Sequence, residues 1–250
     1  MSIFALADLH LAISTPEKTM EAFGPRWNNY MERMKEHWKS IVTIDDLVLL
    51  PGDLSWAMRP EEAKIDLEWI HALPGEKLLI RGNHDYWWAS KAKLAKFLPP
   101  HMHCLHTNAF TWHDVTIGGC RLWDTPEYSF ESFMEPSLPP LGEKKIKDAS
   151  EAEHNEKIFA RELERLRLSL SQLDPKAKLR IAMTHYPPIG ADLRPSRTSI
   201  ILEEFHIDIC VFGHLHNVKF NALPFGKARG VQYFFTACDY LQCSPLKIYP

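Results

Sequence analysis

Five short apolar runs of this chain each end in residues that can bind a metal ion or transfer a proton. The runs are "SIFALADLH", "LVLLPGDLS", "KLLIRGNHD", "LRIAMTHYP" and "IDICVFGHLH". Their length and their lack of alternation are typical of strands buried on both faces of a sheet. Because ligands bind at the carboxyl ends of the strands in an open α/β sheet, these five ends predict one shared functional site.

Helical patterns lie between the predicted strands. Residues 26–42 are amphipathic, and residues 60–73 open with Pro60 and two glutamates, which favour a first helical turn. Residues 150–173 begin with a capping box formed by Ser150 and Glu153. The alternation predicts an α/β protein, and the absence of repeats or a composition break predicts one domain over residues 1–250.

The middle and the end of the chain are richer in strands. Residues 103–123 predict two or three strands, with Gly118-Gly119 as a bulge or bend. The segment "VQYFFTA" and residues 246–249 are two further strand candidates. Residues 124–149, Pro-rich and acidic and then Lys-rich, form the one candidate insertion, either a lid over a site or a plain surface loop.

Composition excludes several classes of protein. The chain is 45% hydrophobic and 24% charged, as expected of a soluble globular protein. A net charge of -3 gives no basic field, which disfavours nucleic acid as a partner. No apolar run approaches the roughly 20 residues that span a bilayer. Five scattered cysteines without a CxxC pair, and an N-terminus without a basic leader, indicate reduced thiols and a cytoplasmic protein.

Taken one at a time, the polar strand ends are weak evidence for a functional site. "DLH" alone is usually a strand end with an exposed histidine, and "GD" alone is usually a turn. "GHLH" is more informative, because histidines two residues apart on an extended segment point the same way. His101 and His103 repeat that spacing without the carboxylate motifs, and we interpret them as structural. The information therefore lies in the whole ordered set.

The order DLH, GDLSW, GNHD, TH, GHLH resembles the calcineurin-like metallophosphoesterase superfamily, whose pattern is DxH, GDxxD, GNH(D/E), H, GHxH. The match runs from residue 8 to residue 216. The resemblance implies a four-layer α/β/β/α sandwich, in which two mixed sheets are flanked by helices. It also implies two divalent metal ions and hydrolysis of a phosphate ester by in-line attack of a hydroxide that bridges the metals.

By position, the resemblance also implies site residues. One metal would take Asp8, His10, Asp53 and His216, and the other would share Asp53 and take Asn83, His185 and His214. His84 matches the catalytic histidine of the family. The oxygen and nitrogen donors, with no thiolate, suit Mn²⁺, Fe or Zn²⁺.

The chain departs from the family pattern at Trp56. The GDxxD motif often ends in a carboxylate that orients the catalytic histidine, and here that position is tryptophan. Asp85 is the nearest replacement for that carboxylate and is therefore a second catalytic candidate. It is equally well placed to cap a helix over "YWWASKAKLAKF", and the sequence leaves both interpretations open.

The expected function is hydrolysis of a small phosphodiester or nucleotide. The alternatives are a phosphomonoesterase, a nuclease for short strands, and a catalytically silent metal-binding scaffold of the same fold. Retention of His84 argues against the scaffold. Side chains that follow the motif strands are candidate substrate contacts: Trp56, Met58, Arg59, Tyr86, Trp87, Trp88, Tyr186, Asp239 and Tyr240. Charge type alone adds Arg26, Arg194 and Arg197 as phosphate contacts. The sequence gives no oligomeric state.

Overall fold

Two mixed β-sheets stack face to face in the computed structural model, which describes residues 1–135, 149–220, 222 and 225–250. The first sheet has the strand order β11-β1-β2-β3-β4. Its strands are β1 (Ile3–Ala5), β2 (Leu47–Leu50), β3 (Glu76–Leu79), β4 (Met102–Cys104) and β11 (Leu246–Tyr249). Strands β1 to β4 run parallel, and β11 pairs antiparallel with β1. The sheet therefore brings the ends of its first three strands to one edge.

The second sheet has the strand order β5-β6-β7-β8-β10-β9. Its strands are β5 (Phe110–Trp112), β6 (Val115–Cys120), β7 (Leu179–Thr184), β8 (Ile209–Phe212), β9 (Lys227–Ala228) and β10 (Val231–Phe235). Strands β6, β7, β8 and β10 run parallel, and the two outer strands are antiparallel. The ends of β7 and β8 thus face the same way.

The inner faces of the two sheets form a shared apolar core. Ile3, Leu49 and Leu78 from the first sheet pack in the same cluster as Ile181 and Val211 from the second. These strands have buried residues on both faces, which explains why their sequences are continuous apolar runs.

Helices cover both outer faces. The helices α1 (Tyr30–Ile41), α2 (Pro60–His71) and α3 (Lys91–Phe97) contribute to the cluster on the first sheet. The helices α4 (Ala149–Leu170) and α5 (Arg197–Glu204) contribute to the cluster on the second. The predicted four-layer α/β/β/α sandwich of two mixed sheets is therefore confirmed.

The helices and strands depart from the sequence prediction in three places. The amphipathic stretch 26–42 forms a short 3-10 turn at Pro25–Trp27 before α1 begins at Tyr30. Helix α4 begins at Ala149, so Ser150 lies inside the helix and not at its cap. The predicted bulge at Gly118-Gly119 is wrong, because the parallel register of β6 with β7 is continuous from Val115 to Cys120.

The two sheets are hydrogen-bonded to each other at their carboxyl edge. The backbone N–H of Ala7 donates to the carbonyl of Thr236 at 2.8 Å, and the N–H of Cys238 donates back to Ala7 at 3.0 Å. This bridge sits directly beside Asp8 and Asp239. Of the candidate insertion 124–149, the structure describes residues 124–135 and 149, and residues 136–148 lie outside the description.

Candidate metal centre

The structure brings all seven sequence-predicted ligands to the carboxyl edge of the two sheets. Asp8 and His10 follow β1, Asp53 follows β2, and Asn83 follows β3. His185 follows β7, and His214 and His216 follow β8. Asp8, His10, Asp53 and His185 are each at most 1% exposed, and the other three are half-buried. Two groups of metal-capable side chains have ligand atoms within 4.8 Å of one another: Asp8, His10 and His216, and Asp8, Asp53 and His185.

Four of these residues have a left-handed backbone. The φ angles are 59° at Asp8, 44° at His10, 54° at Asp53 and 74° at His214. Residues other than glycine adopt this region at an energetic cost, and such residues cluster at functional sites. The turns that follow β1, β2 and β8 therefore aim the side chains into the site at the expense of local backbone stability.

Two glycines make room for the carboxylates. A side chain at Gly82 would overlap the carboxylate and backbone of Asp53, and one at Gly213 would overlap the carboxylate of Asp8. The glycines of the "GNH" and "GHLH" stretches are thus required because another strand's acidic side chain lies against their Cα atoms.

One group of donors lies around His10 and His216. The Nε2 atoms of His10 and His216 are 3.1 Å apart, and Nε2 of His216 is 3.9 Å from Oδ1 of Asp8. Nε2 of His10 is also 3.7 Å from Oδ2 of Asp53.

A second group of donors lies around Asn83 and also reaches Asp53. Oδ1 of Asn83 is 2.7 Å from Nε2 of His185 and 3.0 Å from Nδ1 of His214. Nε2 of His185 is 3.4 Å from Oδ2 of Asp53. This Oδ2 is therefore within 4 Å of donors from both groups. It is buried and accepts no hydrogen bond among the described residues. An orphaned carboxylate oxygen between two sets of nitrogen and oxygen donors fits a pair of bridged cations.

Outer contacts fix two of the histidines. Nδ1 of His185 lies 2.9 Å from the carbonyl of Pro51, and Nδ1 of His216 lies 3.2 Å from Oδ1 of Asp239. If each Nδ1 carries the proton, each Nε2 has a free lone pair directed into the site. Asp239 is fully buried. The sequence suggested it as a substrate contact, and the structure instead places it behind His216.

Burial and mutual charge shift the titration of the centre. Burial raises the pKa of Asp8 to about 7, against the lowering effect of His216 and His185. Burial would also raise the pKa of Asp53, but the charge of the neighbouring His185 holds it well below its ordinary range. Burial lowers the pKa of His214 well below its usual value. Since metal ligands must be deprotonated, protons and cations compete for this cluster.

His84 lies next to the ligands, and among the described residues its ring makes no hydrogen bond. Its backbone N–H donates to Oδ1 of Asp53 at 2.8 Å, and its Nδ1 has no hydrogen-bond partner in the described part of the chain. The ring of Trp56 packs against it with the ring centres 4.5 Å apart, and Trp56 also stacks on His10 at 4.9 Å. An aromatic contact thus occupies the place of the expected carboxylate. Burial lowers the pKa of His84.

Asp85 ties two loops of the site together. It is fully buried and does not cap a helix, because α3 begins at Lys91 after Ser90. Its carboxylate accepts hydrogen bonds at 2.8–3.3 Å from the backbone N–H groups of Asp53, Leu54, Ser55 and Gly82 and from the indole of Trp87. None of these bonds reaches the ring of His84. The carboxylate therefore holds the turns after β2 and β3 against each other.

Replacement of Asp85 by alanine should lower the free energy of unfolding by about 3 kcal/mol or more. Several buried N–H groups would lose their acceptor, at roughly 1–3 kcal/mol each. Urea unfolding of the metal-free protein at neutral pH measures the effect. Asp45→Ala is the control, because Asp45 is exposed just before β2. A loss below about 1 kcal/mol would show that water satisfies the loops equally well.

An aromatic cavity of about 380 Å³ opens beside His214. Its described lining includes Trp123, Tyr128, Phe130 and Tyr186. The ring of Tyr186 lies 3.9 Å from that of His214. Of these four aromatic residues, the sequence analysis predicts only Tyr186 as a contact. The other three could have been recognised from their position in or beside the candidate insertion. Residues 124–135 therefore form one wall of a cavity next to the ligands.

Several other candidate contacts are engaged elsewhere. Trp87 is 1% exposed and belongs to the core, so its assignment as a substrate contact is wrong. Arg26 pairs with Glu135, Arg197 with Glu127 and Glu156, and Arg194 with Asp192. Met58, Arg59 and Tyr86 are exposed, and Trp88 and Tyr240 are half-buried.

His101 and His103 lie apart from the centre, as the sequence indicated. Both bind the side chain of Glu76 at the start of β3, at 2.6 and 2.9 Å. Since the ligands follow the opposite ends of the strands, this cluster is structural.

The family model described as "Calcineurin-like phosphoesterase" matches residues 1–218 of the chain. The chain belongs to this family. Membership accounts for the two groups of buried Asp and His donors, since the family consists of metal-dependent phosphoesterases. The resemblance drawn from the five motifs is thereby confirmed.

Similar solved structures are distant in sequence. A phosphopantetheinyl hydrolase from Mycobacterium tuberculosis is 14% identical with a TM-score of 0.52, and the match covers 94% of this chain and 88% of that one. A protein of unknown function, AQ665 from Aquifex aeolicus, is 12% identical with a TM-score of 0.47, over 98% of this chain and 94% of that one.

A search of curated proteins finds no match to the chain. Among the described residues, no helix is both long enough and apolar enough to cross a membrane.

Proposed function

We propose that the protein is a phosphohydrolase that binds two divalent cations and cleaves a small phosphate ester in the cytoplasm, with a phosphodiester or nucleotide as its substrate. The observation that supports this most directly is the buried, unpartnered Oδ2 of Asp53 between two groups of donors. In this proposal Asp8, His10, Asp53 and His216 hold one cation, and Asp53, Asn83, His185 and His214 hold the other. Mn²⁺, Fe and Zn²⁺ suit this donor set.

Bound cations would lower the pKa of water and neutralise charge on the phosphoryl oxygens. The chain's own residues prepare the site for that chemistry. Asp8 and Asp53 supply two negative charges against four positive ones, so the loaded site attracts an anionic phosphate. Asn83 ligates through a neutral carbonyl oxygen and cancels no further charge.

His84 is the proposed catalytic residue. It is half-buried at the edge of the ligand groups, and its backbone N–H is anchored to Asp53. Its ring can transfer a proton to the leaving oxygen or donate a hydrogen bond to the negative charge that develops there. Trp56 packs against the ring in a tilted contact, and Asp85 acts at one remove, by fixing the loop that carries His84.

The small-ester assignment is testable with two chromogenic substrates. We expect protein loaded with Mn²⁺ to hold two ions per chain and to hydrolyse bis(p-nitrophenyl) phosphate faster than p-nitrophenyl phosphate. Metal analysis and absorbance at the nitrophenolate band measure these quantities. Faster cleavage of the monoester would favour a phosphomonoesterase. No turnover of either ester with two ions bound would favour a silent scaffold.

A further inference from the structure

A second cavity, of about 100 Å³, lies at the ends of β3, β4 and β6 beside α4. Its charged lining consists of Arg81, Arg121, Arg165 and Glu162, and none of the seven candidate ligands borders it. Arg81 directly precedes the glycine that packs on Asp53. The cavity is thus close to the metal centre in the fold but is built from different side chains.

The lining carries more positive than negative charge. Three guanidinium groups face one carboxylate, so the described lining has a surplus of two positive charges. Glu162 is 1% exposed and is already shared, with Oε1 at 2.6 Å from Arg165 and 3.5 Å from Arg121. Arg81 forms no ion pair among the described residues. Like charges this close repel one another unless an anion lies between them.

Two of the lining arginines carry a donor without an acceptor. The Nε atoms of Arg81 and Arg121 are buried and have no hydrogen-bond partner among the described residues. Buried donors are normally satisfied, so these two indicate a missing acceptor. His106 also lines the cavity. Its pKa is lowered first by burial and then by the positive charges of Arg165, Lys91 and Arg81, in line with the surplus of positive charge.

We propose that this cavity is a binding site for a phosphate-type oxyanion held by Arg81, Arg121 and Arg165. Guanidinium groups present forked N–H donors that match the oxygens of a tetrahedral phosphate, and two of the three lining arginines carry a donor that still needs an acceptor. The anion comes either from free inorganic phosphate or from a second phosphoryl group of a substrate whose reacting phosphate lies at the metal centre.

Calorimetric titration of the metal-free protein with inorganic phosphate tests the site. Binding of one phosphate per chain that depends on Arg81 reports the arginine cavity, because none of the candidate metal ligands lines it. Arg81→Gln should weaken this binding by about tenfold or more, since a charge-assisted hydrogen bond is lost. Arg167→Gln, on the same helix as Arg165 but paired with Glu204 outside the cavity, should leave it unchanged.

The melting temperature of each variant without phosphate checks that it folds. Arg81→Lys keeps the charge but not the fork, and we expect it to bind with intermediate affinity. Absence of saturable binding in the wild-type protein, or equal binding by Arg81→Gln, would overturn the proposal. Neither result depends on hydrolysis, so failure of this site is distinct from failure of the proposed function.

Kinetics of the Mn²⁺-loaded enzyme separate the two sources of the anion. If a substrate's second phosphoryl group occupies the cavity, Arg81→Gln should raise KM for ADP while leaving KM for p-nitrophenyl phosphate unchanged. If free phosphate occupies it, Arg81→Gln should alter the two KM values equally or not at all, while the loss of phosphate binding in calorimetry remains.

Discussion

Replacement of Asp53 by asparagine is expected to reduce the bound metal from two ions per chain to at most one and to lower kcat by about 10³-fold or more. The physical reason is the position of Oδ2, 3.7 Å from Nε2 of His10 and 3.4 Å from Nε2 of His185. An amide cannot bridge two cations as an anion can. Loss of a cation removes several kcal/mol of transition-state stabilisation, and each tenfold in rate is about 1.4 kcal/mol.

Asparagine is the informative replacement because it tolerates the left-handed backbone of Asp53 and preserves the side-chain shape. Metal analysis after dialysis and steady-state kinetics with bis(p-nitrophenyl) phosphate measure the two effects. Asp45→Asn, an exposed site before the same strand β2, is the matched control and should retain both ions and full activity. An Asp53→Asn protein that still holds two ions would contradict the bridging role.

Replacement of His84 by alanine should lower kcat by about 10²–10⁴-fold and leave both metal ions bound. This is the range for removal of a positioned proton donor. The loss should be smaller for p-nitrophenyl esters than for alkyl esters, since nitrophenolate leaves without much help from an acid. That dependence on the leaving group separates a catalytic histidine from one that merely supports the loop.

The control for His84 is His113→Asn, because His113 is exposed in the turn before β6, at the edge away from the site, and asparagine tolerates its positive φ. Metal content and melting temperature show whether His84→Ala remains intact. Unchanged kcat in the alanine variant, or equal losses for both classes of ester, would contradict proton transfer by His84.

The layered fold and the assembled ligand set could be predicted from sequence because both follow from strand ends. Continuous apolar runs mark buried parallel strands, and the residue after each run must lie at the carboxyl edge. Asp53 and His185 are separated by more than 130 positions in sequence, yet each needed only its own strand to be placed. The order of the motifs along the chain then indicated that these strand ends form one site.

The supporting contacts could not be predicted because they join loops that no periodicity connects. Asp239 follows β10 just as Asp53 follows β2, but its use behind His216 depends on the bridge between the two sheets. Asp85 is a residue type that often caps helices, and only the folded loops show that it accepts hydrogen bonds from both turns. Arg81 lies in a predicted strand end, whereas its neighbours Arg121 and Arg165 come from distant segments.

The positive φ angles at Asp8, His10, Asp53 and His214 set stability against activity in any effort to engineer this protein. Backbone strain of this kind costs of order 1 kcal/mol or more at each position. Glycine there would relieve it while removing a proposed ligand. Screening a mutant library by melting temperature alone would therefore enrich variants that have lost the centre, and a thermostable catalyst has to be sought by substitutions elsewhere in the two sheets and their helices.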